Sequence, residues 1–239
     1  MEFVVESEVF DRFPGLRIAV AVVEGIDNEN PRPHVSRDWQ ETWQETSRLA
    51  EQYPNAQSHP NVNAWRERFK AMGVSPRDYP SSIEAMLRRA LKGGEPLKVN
   101  PLVDLIHTIS LRNVVPVGGY DLGELEEDIR LRLTVKGDEF RPMGSHSTEP
   151  ITAGEVAFAN GQTVLTRHFV WRQSEEGMIN SSTREALLVS EIPGGLDPSL
   201  PERVAGEFNS RLAAEFGVDP LVSIVDAGDP KLEWQSARL

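Results

Sequence analysis

Between Ile129 and Ile192 the chain reads as strand after strand, with no helix between them. Apolar or alternating runs at Ile129–Val135 ("IRLRLTV"), Glu155–Ala159, Val164–Trp171 and Ala186–Ile192 are separated by the turn segments "GDEFRPMG", "FANGQT" and "RQSEEGM". Asn160-Gly161 is a strong hairpin signal. Strands joined this way pair antiparallel or in a mixed sheet, because a parallel crossover needs a helix-length connection. Ahead of them lie helical patterns at Arg37–Gln52, Asn63–Met72, Ser81–Leu91 and Asn100–Leu111, and after them one amphipathic helix, Leu200–Phe216. An early apolar run, Phe13–Val23, is a buried strand, and Val114–Val117 is a short extended piece. This order predicts an α+β fold in which the N-terminal helices pack on an antiparallel or mixed sheet or sandwich-like core. No repeat or linker divides residues 1–239. They read as one compact domain: a strand and helices over 1–74, a central region over 75–192, and a helix with a loose polar tail over 193–239.

The clearest local signal is "SSIEAMLRRALKGG". Ser81 or Ser82 caps a helix, Ile83, Met86, Leu87, Ala90 and Leu91 form its apolar face, and Gly93-Gly94 ends it. Arg88, Arg89 and Lys92 lie on or beside the opposite face. They belong to a basic stretch, Ala64–Lys98, with eight bases against four acids in a chain whose net charge is −12. The overall charge opposes a protein that coats nucleic acid, DNA included, by bulk attraction. A local patch can still meet phosphates, or it can be a set of solvated helix faces.

Several chemistries are excluded or unsupported. There is no cysteine, so there is no disulfide, thiolate metal site or cysteine nucleophile, and a reducing cytoplasm is the expected compartment. The N-terminus carries acids where a secretion signal needs bases, and no apolar run approaches the ~20 residues of a membrane span. Nucleophile-elbow, P-loop, dinucleotide and zinc-protease motifs are missing. The histidines, His34, His59, His107, His146 and His168, show no ligand spacing, so neither metal nor cofactor is expected. Alternation in "TRHFVWR" places Arg167, Phe169 and Trp171 on one strand face and His168, as a structural histidine, on the other. "NSST" (Asn180–Thr183) can hold a nucleophile or cap an element.

Three segments in order resemble a known family: "SSIEAMLRRALKGGEPLKVNPLVDLIHTISLRNVVPVGGYDLGEL", "IRLRLTVKGDEF" and "GEVAFANGQTVLTRHFVWRQSEEGMINSSTREALLVSEI". They resemble the B3/B4 editing domain of the bacterial phenylalanyl-tRNA synthetase beta subunit, in its freestanding form, over roughly Ser75–Ile192. That domain hydrolyses the ester of tyrosine wrongly attached to the phenylalanine tRNA. The resemblance therefore implies a sheet-built pocket, an aminoacyl-tRNA substrate and a deacylase acting in trans. The alternative it leaves is a non-catalytic domain that binds tRNA or a small ligand. Asp104 and Asp121 match the family's "VVD…N…QPLHAFD" pattern. His107 replaces its asparagine and Gly118 its pocket histidine, which opens space and puts tyrosine as the substrate in question. His107 can return an imidazole from the adjoining helix.

An aminoacyl ester is already activated, so a pocket needs only to place water and stabilise an oxyanion. Gly118 and Gly119 allow close backbone approach and offer N–H groups, or they form a plain turn. Glu155 is expected to hold the substrate ammonium or orient water, and Arg172 to fix a phosphate or carboxylate; the other reading is a surface ion pair. Asp121 is expected to support the glycine turn. Trp171 stacks on a terminal adenine or fills the core. The sequence carries no signal for oligomeric state.

Overall fold

The computed structural model describes residues 1–235. Its twelve strands are β1 (Glu2–Val5), β2 (Arg17–Glu24), β3 (Gly118–Asp121), β4 (Ile129–Leu133), β5 (Glu139–Phe140), β6 (Glu149–Pro150), β7 (Val156–Asn160), β8 (Thr163–Arg167), β9 (Arg172–Gln173), β10 (Glu185–Ile192), β11 (Leu221–Val225) and β12 (Lys231–Glu233). Its six α-helices are α1 (Ser7–Arg12), α2 (Pro33–Arg48), α3 (Pro60–Ala71), α4 (Ser82–Leu91), α5 (Pro101–Asn113) and α6 (Leu200–Phe216). They form a single compact α+β body, and its strands divide into two sheets. One runs β12-β1-β4-β7-β8-β5-β6, with β9 paired to β8; the other runs β11-β2-β10-β3. Pairing is antiparallel except for β1 with β4 and β5 with β8.

The apolar run in β2 has a simple cause. Ile18, Val20 and Val22 point toward the first sheet, joining Leu131, Phe158 and Leu165 with Leu187 and Val189 of β10. Ala19, Ala21 and Val23 point the other way, against Leu105 and Ile109 of α5 and Val204 and Phe208 of α6. A strand covered on both faces loses alternation and reads as continuously apolar. The order is thus sheet, sheet, helices. A third cluster, with Trp39, Trp43, Ile83, Leu87 and Leu111, joins α2, α4 and α5.

Local signals hold at several points. The Ser81 side chain accepts from the Glu84 N–H at 3.3 Å and caps α4. The β7–β8 hairpin closes through two residues, with Gly161 at φ +57°, a conformation that favours glycine. Three local readings are corrected. The run to Trp171 does not stay extended: β8 ends at Arg167, and His168 (φ +44°) and Phe169 (φ +64°) turn left-handed. Phe169 thereby enters the core against Phe13, at 4.8 Å between ring centroids, and Arg167 and His168 end on one side. Val114 is a left-handed helix cap (φ +50°), so the extended segment begins later, at Gly118. The segment after Gly217 holds β11, paired to β2, and β12, paired to β1; its last four residues lie outside the described ones.

Candidate functional site

The segment from Thr166 to Gln173 passes between two cavities, and the side chains singled out from the sequence divide between them.

The smaller cavity, about 150 Å³, opens between the sheets beside α4 and α5. Strand alternation places its polar groups. Leu187 and Val189 face the first sheet, so Glu191 does too; on β3, Gly118 and Tyr120 face the same way. Gly118 and its neighbour therefore do different jobs. A Cβ at position 118 would meet only Val189 Cγ2, at 3.9 Å, whereas one at 119 would overlap Ile179 Cδ1 at 2.6 Å and Leu188 Cδ2 at 2.7 Å. Gly118 leaves space in the cavity; Gly119 allows close packing. Neither forms a turn, since both pair in β3 with β10. Asp121 supports the following turn instead: its carboxylate accepts from the Gly123 N–H (2.8 Å) and from the Thr183 hydroxyl (2.6 Å), so that hydroxyl serves structure.

Several polar side chains wall this cavity. Tyr120 Oη and Thr166 Oγ1 share a hydrogen bond of 2.8 Å, and burial raises the phenol well above its usual range. Gln173 Nε2 donates to the Gly119 carbonyl at 2.9 Å. Glu191 is 3% exposed; burial pushes its carboxyl up to about 8, against a smaller lowering from its own backbone N–H. His107 lies on α5 with its Nδ1 buried and unpartnered, 5.5 Å from Trp39 between ring centroids. Burial lowers its imidazole to about 4. At neutral pH both groups are held uncharged by desolvation. Trp171 lines the same cavity and packs edge-on against Tyr79 at 4.7 Å.

The larger cavity, about 320 Å³, lies between the end of α3 and the loop before β7. Here sits Glu155, bound on its inner side. Its carboxylate accepts from Arg167 Nε (3.2 Å), Arg167 Nη2 (2.9 Å) and the His168 backbone N–H (2.7 Å). The arginine opposite Glu155 is thus Arg167; Arg172, its cross-strand partner on β9, is exposed. The fold does not join Glu155 and Arg172 with His107 and Gly118 in one cavity.

Arg88, Arg89 and Lys92 also separate. Arg88 Nη2 donates to Glu84 Oε1 at 2.6 Å, and Arg66 binds the same fully buried carboxylate at 2.8 Å. Arg88 is therefore part of the joint between α3 and α4. Arg89 and Lys92 are exposed. No group of three or more metal-ligating side chains forms among the described residues. No helix among them is long and apolar enough to cross a membrane.

Glu191, Tyr120 and Gln173 went unremarked in the sequence. Glu191 had a legible signal: a carboxylate inside "ALLVSEI", a run apolar enough to be covered on both faces, where an acid is costly.

Residues 64–196, more than half of the chain, match the B3/4 domain, and the chain belongs to that family. No curated protein matches it. Among solved structures, the fold is similar to an N-terminal fragment of the phenylalanyl-tRNA synthetase beta-subunit from Pyrococcus horikoshii. That similarity has 12% identity and a TM-score of 0.47 over 94% of this chain and 54% of the fragment, so the chain spans about half the fragment's length.

Proposed function

We propose that this B3/4-domain protein is an aminoacyl-tRNA deacylase acting in trans, and that the cavity holding His107, Gly118 and Glu191 receives the aminoacyl group. One observation carries the assignment: the cavity gathers an imidazole, a phenol and a carboxyl that burial keeps uncharged, around an open position at Gly118. Its volume equals that of about five waters, room for one amino-acid side chain. Glu191, protonated at neutral pH, donates a hydrogen bond to the substrate, and Tyr120 and Gln173 fix its orientation. A pocket without net charge favours an uncharged side chain, because a charged one would be desolvated there, and a cation would gain a partner only after Glu191 released its proton to solvent. Arg89 and Lys92 offer cations to tRNA phosphates; Arg88 is committed to Glu84. This reading moves the principal carboxyl from Glu155 to Glu191.

The same observation supports a second reading. With His107 at about 4 and Glu191 at about 8, neither side chain is an effective base at neutral pH, which suits a domain that binds an aminoacyl-tRNA without hydrolysing it. A deacylation screen of the purified chain against a panel of mischarged tRNAs, run beside filter binding of the same tRNAs, separates the two. The deacylase reading expects accelerated ester loss on at least one uncharged aminoacyl group. Binding without acceleration selects the second reading, and neither binding nor acceleration overturns both.

A further inference from the structure

The larger cavity has two unlike walls. Phe69, Met72 and Val74, at and beyond the end of α3, are apolar; Arg12, Glu155 and Arg167 face them. Glu155 and Arg167 neutralise each other, which leaves Arg12 as the one further cation of this lining among the described residues. Arg12 is exposed at the rim, where Nη1 donates to the Gly154 carbonyl at 3.0 Å. His168 closes the polar wall with its ring centroid 4.0 Å from that of Tyr79. Its Nε2 is buried without a hydrogen-bond partner, 3.5 Å from Glu155 Oε2. Its backbone and that of Phe169 are left-handed, a conformation that a bulky residue such as Phe169 rarely adopts. An unsatisfied buried nitrogen and local strain occurring together beside a cavity are features that structural packing alone tends to remove.

We infer that this cavity is a second binding site, distinct from the aminoacyl pocket, for a small organic monoanion with an apolar body. Arg12, the one uncompensated cation of the lining among the described residues, selects one negative charge, since a second would be left without a partner. The Phe69–Met72–Val74 wall selects an apolar body over an inorganic ion. The anionic group sits at the rim against Arg12 and the body points inward. The volume, about 320 Å³, is at the small end of ligand sites and fits a ligand the size of an aryl or short alkyl acid. The inference does not rest on the deacylase reading.

The test uses the full chain, with phenylacetate as probe and phenylacetamide as its uncharged counterpart, followed by calorimetry and by amide chemical shifts. Phenylacetate is expected to bind saturably, about ten-fold or more tighter than phenylacetamide, with shifts gathered at residues 152–156 and 167–168. Arg12→Gln should erase the difference between the two probes, and Ala153→Trp, at an exposed position on the lining, should block both. Both changes lie at the surface, and unchanged melting temperatures would verify folding. Absence of saturation, equal affinity for the two probes, or shifts gathered around His107 and Glu191 would overturn the proposal. None of these outcomes depends on whether the chain hydrolyses an aminoacyl-tRNA.

Discussion

Glu155 and Glu191 are both nearly enclosed carboxyls, on opposite sides of the Thr166–Gln173 segment, and they differ in what surrounds them. Glu155 has a guanidinium gripping both oxygens and a main-chain N–H on one of them. Glu191 has no cation against it among the described residues, and desolvation pushes it up to about 8. The first carboxylate is used up in holding β8 and the turn after it. The second meets its own backbone N–H and is kept protonated by its burial. The difference teaches that a buried acid suggests a site only when no cation among its neighbours neutralises it.

The largest effect that would sharpen this contrast is on stability. Glu155→Ala strands Arg167 and the His168 N–H, and should cost about 3 kcal/mol in denaturant unfolding. A loss below about 1 kcal/mol would place Glu155 among ordinary surface ion pairs and break the comparison.

The next effect is on pH dependence. Glu191 has a folded pKa raised from 4.5 to about 8, so the folded state holds a proton that the unfolded state has released. Its contribution therefore falls as pH rises through that window. His107 is lowered from 6.5 to about 4, so the folded state refuses a proton and stability falls as pH drops through that range. The two oppose each other between about 4.5 and 6.5 and leave Glu191 dominant above it. Stability should decline between about pH 6.5 and 8 by roughly 1 kcal/mol per unit. Glu191→Gln should flatten that limb, measured by urea unfolding at a series of pH values. A wild-type curve already flat there would remove the desolvated acid from the account.

A smaller contrast lies in the adjacent glycines. Gly119→Ala forces a methyl into Ile179 and Leu188 and should cost about 1–2 kcal/mol. Gly118→Ala should stay within about 0.5 kcal/mol, since its methyl enters open space. Equal costs would mean that position 118 does not face a cavity. The smallest effect concerns Arg89 and Lys92. Changing both to glutamate should leave the melting temperature nearly unchanged and flatten the salt dependence of tRNA binding. Arg88 is kept out of that variant, because a glutamate there would face the buried Glu84.

What the sequence made legible follows from how local each signal is. The β2 run, the Ser81 cap and the Asn160-Gly161 hairpin were visible because each is set by a few neighbouring residues. β1, β11 and β12 were not, because β1 and β12 pair with each other from opposite ends of the chain and β11 joins β2 across most of its length. The division into two sheets was hidden for the same reason. In the site, Gly118 and His107 could be picked out, but Glu191 could not be joined to them, since it comes beside Gly118 through the β10–β3 register and beside His107 through the packing of α5. His168 misled because alternation assumes an extended backbone, and two left-handed residues end it there.

The central claim is that the Glu191 cavity, and not the Glu155 cavity, receives the aminoacyl group. The direct measurement is the deacylation rate of folded Gly118→His and folded Glu155→Gln on the mischarged tRNA that the unaltered chain hydrolyses best. The account predicts that Gly118→His, which fills the cavity, abolishes hydrolysis or changes which aminoacyl groups are accepted, while Glu155→Gln stays within about two-fold, an effect well under 1 kcal/mol in the barrier. Full activity with an unchanged substrate profile in Gly118→His, together with a loss of about ten-fold or more in Glu155→Gln, would contradict it.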